Sequence, residues 1–438
     1  MKKRIKVVLA LLCAVVCGLP LIACNAGKST ALGKPQPVVD ISYNERTDSD
    51  FVAFKRNVEQ FAATFAAHAY DEYESDNNFA VSPISVYMAL SLAAECASDD
   101  TRAELLSALG VSYDALQTHF STLYRSLAIE RKQGDTVTSV LNLTNSIWVN
   151  KGTPVKQTCI DTLSNNYYAY SYSADFAKDN ANANKAVRKF VKDQTKGLID
   201  KDFKLDKDTL FTLINTLYLK TIWNIDGKDL PFAQNEYTFT AKDGTKTQNK
   251  LLQGYYNGGR VFETDTYSTF YTSTHNWYKI KFILPKDGYN VDDVFTADNI
   301  AAVNAITDYN SYDKENNVYY ETRCIFPEYK CSYDGDIMSV LKNKFGINKL
   351  FINPEYTSDG CNLSTLTDTP SFCTAIQHVT NLTVNKKGIE GAAVTVMIGP
   401  TSARPAEIKL DFVIDKAFGF IITDSDNVTL FSGVVNKI

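Results

Sequence analysis

The chain has 438 residues, 45% hydrophobic and 22% charged, with 21 Gly and 12 Pro. That balance belongs to a globular protein and excludes disorder, collagen and coiled coil as the main body. The net charge of −5 argues against a nucleic-acid footprint, and four dispersed His (His68, His119, His275 and His378) leave little material for imidazole chemistry.

Lys2, Lys3, Arg4 and Lys6 precede an apolar run from Val7 to Cys17. This is the pattern of an export signal, too short to span a bilayer permanently. The run leads to Leu21-Ile22-Ala23-Cys24, which resembles the lipobox of bacterial lipoproteins, where the Cys receives a lipid and becomes the new N-terminus. The alternative is a plain secretory signal cut after Ala23, with Cys24 incidental. The resemblance implies a signal peptide over residues 1–23, lipidation of Cys24 and a place at the cell envelope or cell surface, outside the cytoplasmic membrane. Residues Asn25 to about Thr47 lack periodicity and carry Gly, Pro, Ser and Thr, so residues 24–50 are expected to be the anchor and a flexible tether. No later linker divides the chain, and residues 51–438 read as a single domain.

Within that domain, Phe51, Phe54, Val58, Phe61 and Phe65 recur at three- and four-residue steps and predict an amphipathic helix. Ser82-Pro83 opens a helix over Ile84–Ala94, Thr101–Leu109 predicts another stopped by Gly110, and Asn184–Leu198 predicts a fourth. Strand patterns occupy Leu141–Val149, Leu210–Leu219, Tyr278–Leu284, Val318–Ile325, Asn381–Val384, Ile408–Val413, Phe418–Thr423 and Val428–Val435. Helices early and strands late, without βαβ alternation, give an α+β class.

Beyond the signal and Cys24, six Cys remain: Cys96, Cys159, Cys324, Cys331, Cys361 and Cys373. Export permits disulfides, and Cys324/Cys331 or Cys361/Cys373 are close enough in sequence to pair, but six Cys in a chain this long also fit buried small hydrophobes. No Cys/His set has zinc spacing, so no metal or cofactor is expected. GxSxG, HExxH and GxGxxG are all missing, and Gly27-Lys28-Ser29 lacks the upstream Gly of a phosphate loop, so an enzyme is not expected.

One segment departs from the rest. Gly388 to Ala406 contains no aromatic residue, and no charge lies between Glu390 and Arg404. A stretch this long of small, β-compatible residues between two strand patterns reads as a functional loop.

Five blocks of residues then agree in order and spacing with one family. Asn78-Phe79-Ala80-Val81-Ser82-Pro83-Ile84-Ser85, with Ala89-Leu90 and Thr101, resembles the opening motif of serpins. Asn215, Tyr218, Lys220 and Trp223 fall at that family's spacing, and His378 stands ten residues before Gly388 as in the strand entering the serpin reactive loop. Gly388-Ile389-Glu390-Gly391-Ala392-Ala393-Val394-Thr395 resembles the hinge of that loop, and Leu430 to Asn436 resembles the C-terminal signature. Departures are Cys96 for a usual Gly, Phe190 for Trp, Thr221 for Gly and Lys386 for Glu. The last removes any salt bridge from this position to a cation at the top of the sheet.

The resemblance implies the serpin fold: a large mixed central sheet, two smaller sheets, about eight or nine helices and an exposed loop at about 386–407. It also implies a monomeric suicide-substrate inhibitor of serine (also cysteine) proteases. A protease attacks the loop, and the cut arm then inserts into the sheet before the acyl-enzyme is hydrolysed. Fifteen residues counted from Gly388 place the reactive bond at Ser402–Ala403. The small Ser402 points to elastase-like or subtilisin-like targets. Alternate residues of an inserted arm face inward; here that set is Ile389, Gly391, Ala393, Thr395, Met397 and Gly399, none of them charged. Ser82, Ser85, Asn215 and His378 match the positions where the family's strands part to admit the loop. The alternatives are a non-inhibitory carrier or surface-binding lipoprotein of the same fold and, behind it, an exported hydrolase without a recognisable motif.

Overall fold

The computed structural model describes residues 29–438 apart from 74, 129, 134–135, 224–228, 258–260, 307–311, 314–317, 375 and 390–407. Ten α-helices occur among the described residues: α1 (Tyr43–Thr47), α2 (Ser49–Asp71), α3 (Pro83–Cys96), α4 (Asp99–Leu109), α5 (Tyr113–Leu127), α6 (Gln157–Asn166), α7 (Asn180–Gln194), α8 (Val291–Val294), α9 (Ala297–Ala305) and α10 (Met338–Phe345). Asp48 caps α2 by accepting from the Asp50 and Phe51 amides, and the predicted Phe51–Phe65 stripe is its buried face. All of α3 except Ala89 is buried, which is why its sequence is apolar all round. Ser82 stands at its N-cap without a side-chain capping bond, and Pro83 needs none at the first turn. Gly110 ends α4 in the left-handed conformation that favours glycine, φ +69°.

The strands are β1 (Ser29–Gly33), β2 (Phe79–Val81), β3 (Glu130–Gln133), β4 (Thr136–Asn150), β5 (Ala169–Ala174), β6 (Phe211–Ile222), β7 (Tyr237–Thr240), β8 (Lys246–Asn249), β9 (Leu252–Asn257), β10 (Phe262–Glu263), β11 (Tyr267–Ser273), β12 (Lys279–Pro285), β13 (Tyr312–Asp313), β14 (Val318–Phe326), β15 (Tyr329–Asp336), β16 (Gln377–Asn385), β17 (Gly388–Ile389), β18 (Ile408–Val413), β19 (Phe418–Thr423) and β20 (Thr429–Val435). Fourteen of them form one mixed sheet in the order β1-β5-β4-β6-β17-β16-β15-β2-β20-β19-β12-β11-β10, with β3 paired to β4. Two small sheets, β13-β14-β18 with β9 and β7-β8, complete the α+β fold. β19 and β20 are buried at every residue, so their sequences run apolar without alternation.

Three expectations need correction. Ser29–Gly33 is not tether: it adds to the sheet as an edge strand antiparallel to β5. Tyr43–Thr47 is a helix, closed by a capping box between Ser42 and Glu45 and tied down by the Glu45–Arg125 ion pair at 2.5 Å. The fourth predicted helix lies four residues earlier, at Asn180–Gln194, because Lys196 and Gly197 both take positive φ and turn the chain. All six Cys outside residues 1–28 are buried, and neither of the two local disulfides is formed.

Candidate functional site

A seam runs down the middle of the large sheet. β6 and β16 are neighbours only through β17, whose two residues pair with Ile222 and Thr221 on one side and with Asn385 and Val384 on the other. Below those residues β6 pairs with β4 and β16 with β15, and among the described residues no register joins β6 to β16. The gap widens into a cleft of about 670 Å³ lined by Phe211–Thr216, Gln377 and Val379, with Asp334 at its rim. Two polar atoms buried there, Asn215 Oδ1 and Thr216 Oγ1, have no hydrogen-bond partner. Buried acceptors and hydroxyls are nearly always satisfied, so these two are exceptions to the usual pairing, and they lie on consecutive residues of the strand that borders the seam.

Both faces of the seam are covered. On one, α7 lays Val187, Phe190 and Val191 into a cluster with Trp148 and Ile199, against which Ile214 of β6 and Val379 of β16 pack from opposite sides. On the other lies the start of α3. There the Ser82 amide donates to His378 Nε2 at 3.0 Å, and the Ser82 and Ser85 hydroxyls meet at 2.9 Å. Thr380 donates to the Ala80 carbonyl beside them. The His378 ring is held edge-on by Phe65 and tilted against Tyr333, with centroids 6.1 and 5.9 Å away. Burial pushes its pKa down to about 4, so it is neutral at neutral pH, with Nε2 the acceptor and Nδ1 carrying the proton. This Ser/His contact is no nucleophile–base pair, because serine presents its backbone amide to the ring and its hydroxyl to another serine. Among the described residues no cluster of three or more His, Cys, Asp or Glu is arranged to hold a metal.

Of the four residues expected where the strands part, three are thus brought together. Asn215 is not: its amide donates across to Asn145 Oδ1 at 2.5 Å, and Asn145 in turn donates to the Tyr167 carbonyl at 2.9 Å. Asn145 carries no sequence signal of its own, since it acquires its role only from the β4–β6 register.

The upper end of the seam is a tight polar closure. Trp223 Nε1 donates to the Asn385 carbonyl at 2.6 Å, and the Trp223 and Leu230 amides bond the Lys387 and Lys386 carbonyls. The Lys386 amide donates to Glu328 at 2.7 Å. Lys386, which departs from the family's Glu, has an acidic partner instead of a cation: its ammonium lies 3.0 Å from Asp229. Lys386 thus has an ion pair of its own, one that sequence spacing across 157 positions does not reveal. Gly388 is required by contact, because a Cβ there would sit 2.0 Å from the Thr221 carbonyl oxygen. Ile389 is 1% exposed and fills the top of the seam. Glu390, Gly391, Ala392, Ala393, Val394 and Thr395 of the hinge, the reactive bond at Ser402–Ala403, and Cys24 lie outside the described residues.

A model of the serpin (serine protease inhibitor) family matches residues 56–438. Iripin-1 of Ixodes ricinus is 26% identical over 83% of this chain and 90% of its own, and alpha-1-antiproteinase of Rattus norvegicus is 24% identical over 90% and 93%. The fold matches the thermophilic serpin tengpin in its native state, with a TM-score of 0.74 at 21% identity, covering 94% of this chain and all of that one. It also matches human thyroxine-binding globulin complexed with thyroxine, with a TM-score of 0.72 at 19% identity over 89% and 99%. With the family model covering all but the first 55 residues and the split sheet in place, this chain belongs to the serpin family.

Proposed function

We propose that the protein is an inhibitory serpin that traps proteases by inserting its cleaved loop into the seam. The observation that carries this reading is the seam itself, already started at its top by Gly388 and Ile389 and unpaired below. A strand laid along β6 and β16 gains ladder bonds on both sides. Roughly ten such bonds at about 0.5–1.5 kcal/mol net each release on the order of 10 kcal/mol. The inward set from Ile389 to Gly399 has no charged and no large, rigid side chain, so it adds little desolvation cost to that step. Fifteen inserted residues carry an attached protease about 50 Å down the sheet.

The reactive bond is Ser402–Ala403, and the targets are elastase-like or subtilisin-like enzymes with shallow pockets. A deep acidic or large aromatic-binding pocket left unfilled by Ser402 forfeits about 1.5–3 kcal/mol of burial. The protein works as a monomer outside the cytoplasmic membrane, held there by lipid on Cys24. A carrier reading keeps the same fold without trapping, as in a binding globulin.

Incubation with elastase-like and subtilisin-like proteases, followed by a denaturing gel, tests the reading. The expected result is a stable band at the summed mass, with a released peptide of 36 residues from Ala403 to Ile438 on mass spectrometry. Clean cleavage with no such band refutes inhibition and favours the carrier. A peptide beginning at Pro405, with trypsin the best-trapped enzyme, moves the recognition residue to Arg404.

A further inference from the structure

The register of the large sheet fixes the pole at which the chain enters the described fold. Gly388 sits opposite Ile222 and Ile389 opposite Thr221, so an arm continuing antiparallel along β6 brings Gly399 level with Phe211 and Ser402 three residues beyond it. Phe211 pairs with Val149, the next residue Asn150 pairs with Ala174, and Ala174 pairs with Ser29. The chain therefore enters the described fold at the same pole to which insertion delivers the protease. Ser29 and the inserted strand are four strand spacings apart, about 19 Å.

Cys24 precedes Ser29 by five residues, which reach at most about 17 Å fully extended. A protease of ordinary domain size is roughly 40 Å across. With β1 seated, the bilayer and the delivered protease compete for one space. The attachment of β1 is limited, however. Ser29, Thr30 and Ala31 are exposed and the pairing is broken by a bulge before Gly33; the strand is held by Leu32, half-buried against the core, by Gly33 packed closely on Ile160 and Ser164, and beyond it by a bond of 2.6 Å from Gln36 to the Asn165 carbonyl. Residues 36–40 are exposed and without secondary structure, and firm anchorage resumes at α1, through Glu45–Arg125 and Arg46–Asp426. Weakly held edge segments of this kind open at low cost. Release as far as Ser42 lengthens the tether to 18 residues and about 60 Å.

We propose that the pole carrying β1 is the membrane-facing surface and that β1 is a releasable strap: seated, it holds that pole against the bilayer, and trapping at a membrane requires it to peel from β5. The proposal rests on the inhibitory, lipid-anchored reading above.

The test locks the strap with Thr30→Cys and Ser173→Cys, which face each other across β1 and β5. The lock is built into lipidated protein on phosphatidylethanolamine–phosphatidylglycerol vesicles and into soluble Cys24→Ala protein. In solution, locked and unlocked forms should trap a subtilisin-like protease equally. On vesicles the lock should cut the trapped fraction at least fivefold, with cleaved, untrapped protein in its place. Reduction before the protease is added, or a fifteen-residue Gly/Ser insert between Cys24 and Ser29, should restore trapping. Equal trapping by locked and unlocked forms on vesicles overturns the proposal. So does loss of trapping by the locked soluble form, which would mean that the strap serves insertion itself. Failure of the unlocked soluble protein to trap strikes the inhibitory reading, and an unmodified Cys24 thiol strikes the anchor; each takes this proposal with it, and the gel and the N-terminal peptide mass tell them apart.

Discussion

Replacing Ile389 by Arg separates the work done by the hinge before and after cleavage. In the uncut protein Ile389 is 1% exposed between Thr221 and Val384. An unpaired guanidinium buried there costs several kcal/mol. The uncut chain has an escape, since β17 can leave the sheet at the expense of the isoleucine's burial, about 2–3 kcal/mol, and of its few ladder bonds at about 1 kcal/mol each. The cut chain has none, because position 389 enters first and every later residue must follow it. A penalty of about 3 kcal/mol on that step slows insertion roughly a hundredfold, as each 1.4 kcal/mol is a factor of ten. Deacylation then wins, and the variant is cleaved as a substrate. Titrating a fixed amount of protease against Ile389→Arg should need at least ten times more inhibitor per enzyme inactivated than the parent, with the cleaved band dominating the gel. Ile389→Val, which removes one methylene at about 0.5–1.5 kcal/mol, should trap almost normally. If Ile389→Arg traps as efficiently as the parent, the hinge does not lead insertion and the reasoning fails.

Gly388→Ala should evict β17, because its Cβ has nowhere to go beside the Thr221 carbonyl; amide exchange at Ile389 should accelerate at least tenfold while the Tyr218 amide stays protected. Lys386→Glu should lower stability by no more than about 1 kcal/mol, since the pair with Asp229 is two-fifths exposed, and Lys386→Glu with Asp229→Lys should recover it in a thermal melt. His378 is held neutral by burial, its pKa depressed to about 4 from an ordinary 6.5, so the unfolded chain binds more protons between those values and stability falls as pH drops through that window. Glu59 and Asp424, which burial lifts to about 7, act with the opposite sign over an overlapping range. The measurement is therefore a difference: the denaturation free energy of His378→Gln relative to the parent should rise by about 2–3 kcal/mol between pH 7 and pH 4.5, and a pH-independent difference refutes the assignment.

The helices and strands with strong patterns are local facts. The Phe51–Phe65 stripe, Pro83 after Ser82 and Gly110 after Leu109 dictate α2, α3 and α4 through periodicity and backbone constraint, which need no partner to be read. The same holds for the family blocks, since Gly388 and Ile389 carry their meaning in residue type. α5 is equally legible, with Leu116, Phe120, Leu123 and Leu127 on one buried face. What tertiary structure alone decided is pairing. Ser29–Gly33 has no strand pattern and becomes one because β5 leaves an edge open beside it. Asn215 reaches Asn145, 70 residues away, because the β4–β6 register sets them side by side. Lys386 finds Asp229 because the Leu230 amide bonds the Lys386 carbonyl and so sets residue 229 beside it. The seam is the clearest case: β6 and β16 each show a strand in sequence, but that they stand adjacent and unpaired is a property of two edges 160 residues apart, and no local pattern records a hydrogen bond left unmade.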